Sequence, residues 1–195
     1  MEVKEPDLSG IYSYADYLGW TWNEMAELID GKVFKMSPAP TSVHQKVSME
    51  LSRQIASFLL GKKCQVFAAP FDVRLPKSEK NKSDGEITTV VQPDLCVICD
   101  ETKIDEKGCL GAPDWIIEIL SKQSSGKDLR QKFDVYEKSG VNEYWVIHPS
   151  DQTVLVYLLK DKKFEGSLKP YIKGDKISSI TLPGLAIDLS LVFSN

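Results

Sequence analysis

Two apolar runs, each broken by one carboxylate, constrain this chain more than any other feature: VVQPDLCVIC, where Asp94 follows Pro93, and DWIIEIL, where Glu118 sits among isoleucines. Short runs rich in β-branched and aromatic residues, bounded by turn signals, form strands. They predict one strand over Val90 to Cys99 and a second over Asp114 to Leu120. The period then changes. Leu129, Phe133 and Tyr136 recur at helical spacing from about Lys127 to Ser139, Gly140 suits the stop, and EYWVI at 143–147 resumes as a strand. The centre of the chain is therefore β-β-α-β. Trp115, Tyr144 and Trp145 fall inside the apolar runs and belong to the core.

The flanks add elements to this centre. Ser13 with Asp16 forms a variant capping box opening a short amphipathic helix over Tyr12 to Met25. Asp30-Gly31 between two apolar stretches signals a tight hairpin, which places Glu27 on a strand. Thr41 or Ser42 caps a helix whose stripe is Val47, Leu51, Ile55 and Phe58, ended by Gly61. Residues 64–76 alternate as a strand with one polar face, and KSEKNKSDGE follows as a loop. The end of the chain, with a strand near Thr153 to Leu159 and the GDKISSITLPGLAIDL tail, reads as a hairpin and an edge segment on the same sheet. At 195 residues the whole chain, 1–195, is expected to form one domain, with 161–195 as a C-terminal strand extension.

Charge and cysteine content narrow the function classes. A net charge of −4 argues against holding nucleic acid by bulk electrostatics, although a bound cation would supply local positive charge that this count omits. No apolar run is long enough to cross a bilayer, and the acidic start MEVKEPDLSG lacks the features of a secretory signal, so a cytoplasmic location is expected. The four cysteines are expected to be reduced and buried. Cys96 and Cys99 form a C-x-x-C, but strand alternation points the two sulfurs to opposite faces, which excludes a shared metal.

The two strand acids remain to be explained. A carboxylate inside an apolar strand loses its charge or finds a cation, and two on neighbouring strands repel unless a divalent metal joins them. Taken singly, each acid could as well turn to solvent or pair with a lysine. Two in consecutive strands, followed by a helix carrying Lys132, point to a hard-cation site of the Mg²⁺ or Mn²⁺ type. Pro93-Asp94 followed by Glu118 resembles the PD-(D/E)XK nuclease superfamily. ELIDGKVFKMSP, His44 in the helix start, QPDLCVI, APDWIIEILS and DLRQKFDVYEKSGVNEYWVIHP resemble the Uma-two family of restriction-endonuclease-like proteins over about residues 12–160.

The resemblance implies an α/β (α+β) restriction-endonuclease-like fold: a central mixed β-sheet flanked by helices, with N-terminal and C-terminal hairpins. It also implies a site in which Asp94, Glu118 and Glu27 bind the metal. In the superfamily pattern a lysine follows the second acid by two residues, where this chain has Leu120. The resemblance passes that role to Lys132 and sets His44 beside the site; Lys122, on the same strand face as Glu118, is the second choice. From periodicity alone, Lys132 could instead pair with Asp128, Glu27 could be a solvated hairpin residue, and His44 lies on the inner face of its helix. The implied activity is metal-dependent hydrolysis of nucleic acid, DNA first. A homodimer would suit a cutter of both strands, because two sites related by a two-fold axis match the symmetry of a duplex. The rival reading is a nuclease-fold binding module that has lost its chemistry, to which Leu120 and the acidic charge both point.

Overall fold

A computed structural model describes residues 6–21, 24–36, 40–78, 80–121 and 126–194. Helix α1 (Tyr14–Leu18) leads into the hairpin β1 (Ala26–Ile29) and β2 (Lys32–Lys35), and the long helix α2 (Ser42–Leu59) follows. Six strands then run β3 (Gln65–Ala68), β4 (Val73–Arg74), β5 (Val90–Val91), β6 (Leu95–Ile98), β7 (Ile104–Asp105) and β8 (Gly108–Leu110). After them come β9 (Trp115–Ile119), α3 (Gly126–Ser139), β10 (Glu143–His148), β11 (Thr153–Lys160), β12 (Lys163–Gly166) and β13 (Tyr171–Ile172). The chain closes with β14 (Lys176–Ser178), β15 (Ala186–Asp188) and α4 (Leu189–Val192).

The strands form a central seven-stranded sheet, β12-β11-β10-β9-β6-β3 with β13 also on β11, and a six-stranded sheet, β2-β1-β5-β4-β8-β7. The central sheet is mixed: β9 and β10 run parallel, as the intervening α3 requires, and its other pairs are antiparallel. Two stretches expected as single strands each serve both sheets. Residues 64–76 divide into β3 in the central sheet and β4 in the second, with Pro70 between. Val90 to Cys99 divides into β5 and β6 around Gln92-Pro93-Asp94. Proline has no N–H to give a ladder, so pairing breaks at these points and the chain changes sheet. Asp94 therefore stands at the mouth of β6, beside the crossover.

Capping explains the helices. Ser13 and Asp16 form the reciprocal box at α1, but that helix ends at Leu18 instead of reaching Met25. Thr41 caps α2 by accepting the His44 N–H, which fixes the first turn and with it the position of His44. Asp30 and Gly31, with φ of 51° and 79°, make the hairpin turn, whose left-handed conformation glycine and aspartate tolerate.

The two helices cover opposite faces of the central sheet. Alternation along β9 sends Trp115, Ile117 and Ile119 toward Val47, Leu51 and Ile55 of α2. Ile116 faces the other way, packing with Tyr136 of α3 and with Val73 and Val91 of the second sheet. Glu118 shares that second parity. The tail departs from expectation: β14 and β15 pair only with each other, and Ile177, Ile187 and Leu189 join the α2 side of the core. Fully buried Glu143 holds the tail there, accepting from Trp145 Nε1 at 2.8 Å, Ser179 Oγ at 2.8 Å and the Thr181 N–H at 2.9 Å. These bonds satisfy a carboxylate that would otherwise be costly to bury.

The cysteines also depart in part from expectation. Cys64 and Cys99 are joined by a disulfide, whereas Cys96 and Cys109 are free and buried. The β3–β6 register, Gln65 opposite Ile98, continues by one residue to set Cys64 opposite Cys99. Strand alternation does separate Cys96 from Cys99, which pack on different sides of the sheet.

Candidate active site

Strand register brings the two acids together. Leu95 pairs with Ile117 in the β6–β9 ladder, so the next step sets Asp94 opposite Glu118. Asp94 does not wait there unpartnered. Its Oδ2 accepts the Ile119 N–H at 2.7 Å, and its Oδ1 lies 3.1 Å from His44 Nε2 on α2. The Asp94 hydrogen bond holds the His44 imidazole above its ordinary pKa, against a smaller opposing push from burial. Among the described residues, His44 Nδ1 is buried without a hydrogen-bond partner.

Lys132 approaches the other acids from α3. Its Nζ lies 2.9 Å from Glu27 Oε1 and 3.1 Å from Glu118 Oε1, joining the N-terminal hairpin to the central sheet. Glu27 and Glu118 are only 5% and 7% exposed. Burial pushes the Glu118 carboxyl up to about 7; Lys132 pulls it down, while Asp94 and Glu27 push it further up. For Lys132 burial opposes the charge, but the Glu118 and Glu27 carboxylates outweigh it and raise its pKa.

Periodicity alone missed several supporting groups. Tyr136 OH donates to Glu118 Oε1 at 2.6 Å; read only as part of the inner apolar stripe, it sits at i+4 from Lys132, a spacing that could have revealed it. The Gln92 N–H donates to Glu27 Oε1 at 2.7 Å. The Gln92 side chain donates from Nε2 to Asp72 Oδ1 at 2.8 Å and to Tyr17 OH at 3.2 Å, and nothing in its sequence context marks it. Lys122 and the Asp128 side chain, the alternatives considered for and against Lys132, lie outside the described residues. Leu120, where the superfamily pattern has its lysine, lines the same cleft as Lys132.

All five expected residues, Glu27, His44, Asp94, Glu118 and Lys132, line one cleft of about 620 Å³. Among the described residues no group of three or more His, Cys, Asp or Glu side chains is arranged to hold a metal ion. The donor chemistry still fits a hard cation. Mg²⁺ characteristically takes one or two carboxylates and completes its shell with waters and substrate oxygens, and Asp94 and Glu118 face each other across one rung of the sheet. The Lys132 ammonium supplies positive charge at this place in the structure as it stands.

The comparisons bear on fold and family. The chain is similar to the crystal structure of a putative nuclease belonging to DUF820 from Anabaena variabilis, with a TM-score of 0.70 at 22% identity, covering 93% of this chain and 97% of that one. A family model, Uma2, described as putative restriction endonuclease, matches residues 14–190. A comparison with curated proteins gives no match.

Proposed function

Since this chain belongs to the Uma2 family of putative restriction endonucleases, we propose that it is a nuclease hydrolysing phosphodiester bonds with a divalent cation, Mg²⁺ or Mn²⁺. The observation that carries the reading is the meeting of Glu27, Glu118 and Lys132 beside the Asp94–His44 pair on the wall of one cleft. These residues come from the N-terminal hairpin, the central sheet and both long helices, and packing alone has no use for so many charges at one point.

Asp94 and Glu118 would hold the cation, with Glu27 as the third acid. When bound, the cation polarises the phosphate and activates a water. The residues of the chain do the rest. The Ile119 N–H and Tyr136 OH fix one oxygen each on Asp94 and Glu118, which orients both carboxylates. Lys132 is placed to stabilise negative charge developing on the phosphate once a cation takes over the acids. His44, whose protonated form is favoured by its bond to Asp94, stands beside the acids, where it could contact a metal-bound water or a phosphate oxygen.

A second reading has one observation in its favour. Each of the three acids already has a protein partner, so the cluster is electrostatically satisfied as it stands. A chain of this fold that had become a binding module would look the same. Calorimetric titration with Mn²⁺ separates the two. The nuclease reading expects binding in the wild type and its loss in Asp94→Asn, which keeps the shape and removes the charge. Absence of Mn²⁺ binding by the wild type would favour the binding module.

A further inference from the structure

Resting on the nuclease reading, we propose that the cleft takes an unpaired nucleic-acid strand, gripped largely through its bases, and does not take a duplex gripped through its phosphates. Three features of the cleft lead there. The first is size: about 620 Å³ falls within the range of roughly 300–1,000 Å³ typical of pockets that enclose drug-sized molecules, which is room for a nucleotide or two. The acids to be reached lie deep, with Glu27 and Glu118 almost wholly buried. A flexible strand can bend a phosphate down to them, whereas a duplex is held out by its own width.

The second feature is the lining. Met25, Phe34, Met36, Met49, Leu120 and Leu129 line the cleft together with the charged groups. Met25, just before β1, and Met49, on α2, are 49% and 69% exposed. Thioethers adapt to flat π-faces of varied shape, and base faces are available only when the bases are unstacked. The cleft adjoins a hollow of about 240 Å³ that shares Met25 and Gln92 with it and is lined by Tyr17 and Trp20, which gives the strand a way onward.

The third feature is charge. Duplex binders that track the backbone neutralise on the order of 6–10 phosphates with lysine and arginine. This chain carries 24 basic against 28 acidic residues. Of the cations lining the cleft among the described residues, Lys132 is committed to the acids and Lys35 lies 3.0 Å from Glu24. Beyond the one or two phosphates that a bound divalent cation, His44 and the released Lys132 would meet, affinity must then come from bases.

The test is fluorescence anisotropy with short labelled oligonucleotides, single-stranded or annealed, in Ca²⁺ to suppress turnover, over a series of salt concentrations. The single strand should bind at least about ten-fold tighter than the duplex, with a shallow salt slope corresponding to roughly two phosphates at about −0.7 each. Met25→Ala and Met49→Ala should each weaken single-strand binding by about three- to ten-fold without moving Tm, because both side chains are largely exposed. Equal or tighter duplex binding, a steep slope, or unchanged affinity in both methionine variants would overturn the proposal. Cleavage in Mg²⁺ is followed in parallel. Duplex binding with Asp94-dependent cleavage would leave the nuclease reading intact and remove only the unpaired strand, whereas no binding and no cleavage of any substrate would remove both.

Discussion

Lys132 is the charge on which the buried acids depend. Replacing it by methionine leaves Glu27 and Glu118 facing each other with no cation, the situation in which loss of one member of a buried ion pair costs about 3–5 kcal/mol. Lys132→Met should therefore unfold at markedly lower urea near pH 8, and the deficit should shrink near pH 5, where the Glu118 carboxyl takes up its proton. The wild type has a related pH dependence. Glu118 is raised from 4.5 to about 7, so its stabilising contribution is full below 4.5 and is lost as pH rises through about 7. His44, raised above 6.5, acts in the same direction: its contribution is full below 6.5 and is lost as pH climbs through its raised value. Metal-free protein should thus be less stable at pH 8 than at pH 5.5, and Glu118→Gln should flatten the difference in denaturant titrations. At this scale the sequence was informative where chemistry was unusual. A carboxylate among isoleucines is conspicuous, but a tyrosine in an apolar stripe or a glutamine beside a proline is ordinary. Gln92 acquires its role only through contacts distant in sequence, whereas Tyr136 left one local trace, its i+4 spacing from Lys132.

At the scale of elements, the hairpin at Asp30-Gly31, the cap of α2 and the α3–β10 unit follow from local signals, because turn chemistry and periodicity act over a few residues. The division of two strands between two sheets does not, since alternation continues across Pro70 and Pro93 whichever sheet supplies the partner. The consequence is functional: the crossover at Pro93 is what puts Asp94 at the mouth of β6 and Gln92 over Glu27. Close approach also shapes the second sheet. Gly108 opens β8 at a φ of 112°, and a Cβ there would lie 2.2 Å from the Asp72 carbonyl oxygen. Gly108→Ala combines a left-handed backbone with a collision against main chain, and should cost about 3 kcal/mol or more. Thermal denaturation will show it as a large fall in Tm. A wild-type Tm in that variant would mean that β4 and β8 do not meet as described.

Over the whole molecule, the two sheets share two continuous stretches of chain, and residues of both enter the core beneath α3. They should therefore unfold together, with Trp fluorescence and far-UV circular dichroism giving coincident transitions; two separated transitions would divide the chain into independent units. Among the described residues no helix is long and apolar enough to cross a membrane. If the substrate is an unpaired strand, one site suffices and a two-fold dimer, which suits a cutter of duplexes, is not required. The proposed metal-dependent phosphodiester hydrolysis at this cleft is tested most directly by incubating the protein with supercoiled plasmid, single-stranded DNA and RNA in Mg²⁺ or Mn²⁺, beside EDTA and Asp94→Ala controls. Cleavage that disappears both with EDTA and with Asp94→Ala is the result predicted. Cleavage at the wild-type rate by Asp94→Ala, or no cleavage of any substrate with either metal, would contradict it.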